Sequence, residues 1–279
     1  MRELEHITFG QLPAVRITSG NGAQAVVTLF GAHIVSWTPA GGKEQLFCSS
    51  CSALDGSKAI RGGIPLIFPQ FSERGSGMRH GFARVSEWRL WRSGNEGDAG
   101  FAEFVLDSSD RLGAPWPHEF SLVFRVEVQG DALDLSLRVH NTGKVPFSFS
   151  SALHTYFAVA DIEAVQVNGL QHLRYADQTL SGAPEGKQET AELACRNTLD
   201  RIYFGTPANL SLHDGEKELS LHQEGFADAV VWNPGPNACL SDMADEEYRR
   251  FICIEPACIE PISLQPGGKW LGRHRITQR

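Results

Sequence analysis

The chain has 279 residues, 42% of them hydrophobic and 21% charged, with a formal net charge of -8 at pH 7. This is the composition of a soluble globular protein with ample core, and its acidic balance excludes nucleic-acid binding through bulk charge. Residues 1–6 (MRELEH) carry acids where a signal peptide needs an apolar run, and no uninterrupted apolar stretch is long enough to span a bilayer, so a cytoplasmic protein without a membrane partner is expected.

In chain order, residues 25–30 form a β-branched apolar run, and after Gly31 residues 32–37 interleave apolar with small or polar side chains, so both read as strands. Cys48 and Cys51 make a CxxC, but no second pair follows and no βαβ context surrounds it. The six cysteines therefore read as tolerated thiols, and no metal or cofactor is expected.

Between Lys58 and Arg92 the acidic chain turns basic. Lys58, Arg61, Arg74, Arg79, Arg84, Arg89 and Arg92 face only Glu73 and Glu87, a local balance of +5, and the segment is punctuated by Gly62, Gly63 and Gly81. Such an island suits a small anion, while solvated surface charge is the competing reading.

Residues 87–92 alternate strictly, as do 120–128 and 133–139. The latter two are joined by Gln129-Gly130-Asp131-Ala132, a hairpin turn. Further strand-like runs fall at 147–153, 210–212, 219–222, 229–232, 251–254 and 262–264, with exposed loops expected at 92–100 and 181–192. One short turn or helix is expected over 243–250, with Asp242 as its cap. Many short strands without a break in composition imply one all-β domain over residues 1–279, an antiparallel β-sandwich.

Four positions stand out chemically. His154 ends a serine-rich strand beside two aromatics, either as a structural imidazole or as an acid–base group. Glu255 follows four largely apolar residues, and Pro256 is expected to end that strand. A carboxylate held there suits a general base, although Glu260-Pro261 repeats the pattern. Asp200 suits a substrate hydroxyl or a pairing with Arg201, and Trp232 suits stacking on a sugar face or a place in the core. No Walker motif, dinucleotide fingerprint, HExxH or GxSxG occurs.

Taken together and in this order, GAHIVSW (31–37), IRGGIP (60–65), FPQF (68–71), HGFAR (80–84), LHTYF (153–157), DRIY (200–203) and CIEP (253–256) resemble the hexose-6-phosphate mutarotases, or glucose-6-phosphate 1-epimerases, a branch of the aldose 1-epimerase superfamily. The resemblance spans nearly the full length. It implies a galactose mutarotase-like β-sandwich acting on a phosphorylated sugar without a cofactor, here expected to be a monomer.

The resemblance also implies that His154 and Glu255 are the catalytic pair, which resolves Glu255 against Glu260. It implies that Arg61 and Arg84 contact the phosphate, and that His80 and Asp200 hold or orient the sugar. Gln70 and Trp232 are expected as further substrate contacts. Arg74, Arg79, Arg89 and Arg92 are left as surface charge. Ser72 departs from the family, which commonly has glycine after the Phe-Pro-x-Phe motif. With ordinary side-chain values Glu255 would be the ionised base, unless strongly desolvated, and His154 the acid. The alternatives are a non-catalytic carbohydrate-binding β-sandwich and a mutarotase for unphosphorylated aldoses.

Overall fold

The computed structural model describes residues 4–111 and 116–279, so the first three residues of the acidic N-terminal stretch lie outside the described residues. The hairpin read from alternation is its backbone. In Phe120–Gln129 every second residue from Phe120 to Val128 is buried, and the strand pairs with Ala132–Asn141 in an unbroken antiparallel register from Phe120↔Asn141 to Gln129↔Ala132. A period of two presents one side-chain set to the core, and turn and pattern fix the same register.

Neighbouring strands extend this hairpin into a nine-stranded sheet. An eight-stranded sheet and a four-stranded N-terminal sheet complete the architecture. Apolar side chains from all three meet in one continuous core, among them Val27 and Trp37, Phe124 and Leu135, Phe149 and Ile254. Burying each of these large side chains is worth about 1.5–3 kcal/mol. The architecture is an all-β antiparallel sandwich, and no helix among the described residues is long and apolar enough to cross a membrane.

Four expectations are corrected. Residues 92–100 are not a loop: Arg89–Glu96 pairs with Ala99–Asp107, turning at Gly97-Asp98. The ladder to a well-buried partner overrides the weak strand preference of Gly94 and Asn95. Within 181–192, Glu185–Lys187 pairs with Arg174–Asp177. The helix is a single 3-10 segment, Asp245–Arg250, preceded by Ala244, and Asp242 does not cap it but reaches Arg61.

Pro256, finally, does not end its strand. Phe251–Leu264 runs through it, flanked by Asp228–Asn233 on one side. On the other side the ladder is split, because Phe147–Leu153 pairs with residues 257–264 and Tyr156–Ala158 with 251–253. Pro256 lies opposite the gap, where its missing N–H interrupts no ladder on that side.

Candidate active site

That gap is where the chemistry-bearing residues gather. Across it His154 donates its backbone N–H to Pro65 O (3.0 Å) and Tyr156 to Gly63 O (2.9 Å), which docks the 60–65 segment against the split. The docking is tight. Gly63 has φ +60, and a Cβ there would lie 2.2 Å from Ile34 O, so only glycine fits. His33, fully buried, donates from Nε2 to Gly62 O at 2.7 Å. The motifs at 31–37 and 60–65 are thus two halves of one support for Arg61.

The cleft over the gap has a volume of about 520 Å³. At its floor Nδ1 of His154 and Oε1 of Glu255 stand 3.2 Å apart, without the alignment of a hydrogen bond, and the residues are 9% and 1% exposed. Burial pushes the imidazole well below its usual range, reinforced by His80, Arg61 and Arg84. Burial also pushes the Glu255 carboxyl well above its usual range, reinforced by Asp200. Burial thus opposes the charged form of each group, against the carboxylate and imidazolium that ordinary side-chain values suggest.

Tyr156 stacks on His154 with centroids 4.8 Å apart and planes 9° from parallel, and the Trp232 ring meets His154 edge-on at 5.9 Å. Asp200 stands beside Trp232 in the strand register, and burial raises its carboxyl to about 6. His80 sits in the left-handed region at φ 62 and accepts Ser72 N–H at Nδ1 (3.2 Å), which leaves the ring proton on Nε2. Burial, then Arg84, pushes that imidazole down to about 3.

Arg61 and Arg84 line the same cleft in different company. Arg61 donates from Nη1 to the Tyr156 hydroxyl (3.0 Å) and pairs through Nη2 with Asp242 (3.1 Å). Among the described residues the Arg84 guanidinium donates only to Arg79 O (2.9 Å), and no carboxylate lies within 4.0 Å of it. Burial, with Arg61 and Arg79 nearby, lowers its guanidinium to about 10. Nε of both arginines, Oε2 of Glu255 and Nε2 of Gln178 lack hydrogen-bond partners among the described residues, as befits a cleft made for a polar ligand.

Of the expected site residues, His154, Glu255, Arg61, Arg84, His80, Asp200 and Trp232 share this cleft. Gln70 does not line it. Its carboxamide is used within the adjoining loop, donating to Ser72 O and Gly77 O and accepting from Gly77 N–H. Arg89 and Arg92 lie on the outer strand against Asp107 and Glu103. Arg79, expected to be plain surface charge, lines the cleft, as do Lys58, Tyr156, Gln178 and Asp242. Neighbourhood to His80 and His154 was the available signal for Arg79 and Tyr156. Gln178 and Asp242 arrive from distant segments with no local signal.

The ligating atoms of His154, Cys253 and Glu255 lie within 4.8 Å of one another. Burial holds the Cys253 thiol well above its usual range, so a cation there would first have to strip a strongly held proton.

The family model for aldose 1-epimerase matches residues 13–277. The chain belongs to the aldose 1-epimerase family. A Cenchrus ciliaris protein provisionally named glucose-6-phosphate 1-epimerase is 36% identical to this family member, over 95% of this chain and 84% of its own. A Salmonella typhimurium protein with the same provisional name is 35% identical over 83% of this chain and 79% of its own.

Among solved structures, a Salmonella typhimurium protein provisionally described as a mutarotase superposes with a TM-score of 0.89 at 29% identity, covering 99% of this chain and 93% of that one. A galactose mutarotase-like protein from Clostridium acetobutylicum shares the fold at a TM-score of 0.78 and 15% identity, over 99% and 98% of the two chains.

Proposed function

We propose that this chain interconverts the α and β anomers of a hexose 6-phosphate, glucose 6-phosphate foremost, by general acid–base opening and closing of the sugar ring. The observation that carries the reading is the buried His154–Glu255 pair, 3.2 Å apart, in a cleft that also holds Arg84 with no carboxylate partner among the described residues. The plant and Salmonella relatives named for glucose-6-phosphate 1-epimerase support the phosphorylated substrate.

Ring opening removes the proton from the C1 hydroxyl and delivers one to the ring oxygen. The bond from C1 to the ring oxygen breaks as the C1 carbonyl forms, and after rotation about C1–C2 it is remade on the other carbonyl face with the two proton transfers reversed. Burial opposes the charged form of both groups of the pair. A phosphate dianion laid on Arg61 and Arg84 offsets the positive charge that opposes imidazolium at His154. Sugar hydroxyls donating to the carboxylate favour ionised Glu255. Both changes draw the proton to His154, leaving Glu255 as base toward the C1 hydroxyl and His154 as acid toward the ring oxygen.

His80 offers a fixed Nε2–H, Asp200 accepts hydroxyls and Trp232 offers an apolar face, which together orient the sugar. Acid–base assistance of this kind is worth about 10²–10⁴-fold, and orientation adds to it. The phosphate takes no part in bond changes and contributes affinity and positioning.

Exchange NMR on glucose 6-phosphate and on glucose tests the reading. The expected kcat/KM for the phosphorylated sugar exceeds that for glucose by about 10²-fold or more, the worth of one or two charge-assisted hydrogen bonds. Equal values would make this a mutarotase for free aldoses. Binding without acceleration would make it a carbohydrate-binding module.

A further inference from the structure

Tyr156 has no titration or proton transfer in the scheme above, yet three parts of the site meet on it. Its hydroxyl accepts from Arg61 Nη1 at 3.0 Å, and its backbone N–H binds Gly63 O at 2.9 Å in the segment that carries Arg61. Its ring lies flat on His154, 4.8 Å between centroids and 9° from parallel. Its main chain pairs with Cys253, two residues before Glu255. The residue is 2% exposed and packed edge-on to Trp232 and against Phe251, so the ring cannot turn without moving its neighbours. Asp242 fixes the other edge of the same guanidinium at 3.1 Å.

We propose that Tyr156 is a positioning residue that locks Arg61 and His154 into one unit, so that a phosphate held by Arg61 sets the sugar ring at a fixed distance from the His154–Glu255 pair. The proposal rests on the reading of Arg61 as a phosphate contact. The hydroxyl and the ring carry separable duties. The hydroxyl aims Arg61, and the stacked face holds His154 in plane. Removing the hydroxyl alone leaves the imidazole where it is and the guanidinium held by Asp242 on one edge only, which weakens the hold on phosphate and affects free sugars less.

Tyr156→Phe keeps the ring and deletes the hydroxyl. Its expected effect is a rise of about tenfold in KM for glucose 6-phosphate, the worth of one hydrogen bond to a charged group, with kcat within about twofold of wild type and a clearly smaller loss in kcat/KM for glucose. In an Arg61→Ala background the same change should add nothing, because the two substitutions remove one shared contact. A residue that merely supported the fold would move both substrates alike, and its effect would persist without Arg61.

Unchanged KM for glucose 6-phosphate in Tyr156→Phe, equal losses on both sugars, or full additivity with Arg61→Ala would overturn the proposal. Calorimetric titration with inorganic phosphate separates this claim from the catalytic one. If the wild type accelerates no anomer exchange, the proposed function fails, but Tyr156→Phe should still weaken phosphate binding about tenfold. Equal phosphate affinity in the two proteins would overturn the positioning role.

Discussion

The two arginines of the cleft differ in what already surrounds them. Arg61 has Asp242 and the Tyr156 hydroxyl, whereas Arg84 is half-buried and, among the described residues, its guanidinium donates to a single carbonyl. A bound phosphate therefore relieves Arg84 more than Arg61, and Arg84→Ala should raise KM for glucose 6-phosphate by about 10–100-fold while changing kcat/KM for glucose little. Steady-state exchange kinetics on both sugars check this, and equal losses on the two would contradict it.

At the same scale, burial holds His33 and His274 down to about 4. An unfolded chain binds protons at these positions below about 6.5 and the folded one does not. Stability is thus full above pH 6.5 and is lost as pH falls toward 4, by about 2 kcal/mol per histidine at pH 5. The raised Glu255 works in the opposite sense, since its protonated folded form is favoured by acid. Subtraction isolates one group: His33→Gln, which keeps a donor for Gly62 O, should flatten the pH 6.5–4 slope in denaturant titrations by about one proton. An unaltered slope would count against the assignment. None of these shifts was legible in the sequence, because a residue letter carries its ordinary ionisation and not its burial.

Among the elements, the hairpin of Phe120–Gln129 and Ala132–Asn141 was legible because alternation and turn chemistry agree. The strand Arg89–Glu96 was legible only in its first half. Gly94 and Asn95 carry loop character, and the pairing that overrides it comes from Ala99–Asp107, whose strength lies in its own burial. The Pro256 misreading has a similar cause, since proline is tolerated mid-strand only because the facing ladder is split at His154, a fact of tertiary pairing.

Ser72 is the departure that the structure explains. Its φ is 49, the left-handed region where glycine is at ease. Its N–H and C=O bind His80 Nδ1 and His80 N–H, both through the backbone, so the loop keeps its shape despite the side chain. Ser72→Gly should relieve about 1 kcal/mol of strain and raise the thermal midpoint by about 2–4 °C. Anomer exchange should be unchanged. A lower midpoint would show that the serine is not strained.

On the scale of the whole molecule, the site is an assembly of segments far apart in the chain. The 58–84 stretch supplies the cations and His80, the split strands supply His154 and Tyr156, and Phe251–Leu264 supplies Glu255. The family motifs gave six of the expected cleft residues, and the strand-end indole of Trp232 gave a seventh. Gln70 was expected on the sugar, but its amide braces the neighbouring loop, and no motif gave a sign of Gln178 or Asp242 as cleft residues. Those side chains meet the cleft only through sheet topology, which local pattern does not encode. The account as a whole stands on the facing imidazole and carboxyl at the cleft floor. Exchange NMR of glucose 6-phosphate with Glu255→Gln, which keeps the volume and removes the ionisable group, tests it most directly. Folding unchanged by circular dichroism with exchange reduced by about 10²-fold or more is the predicted result, and near-normal exchange in that variant would contradict it.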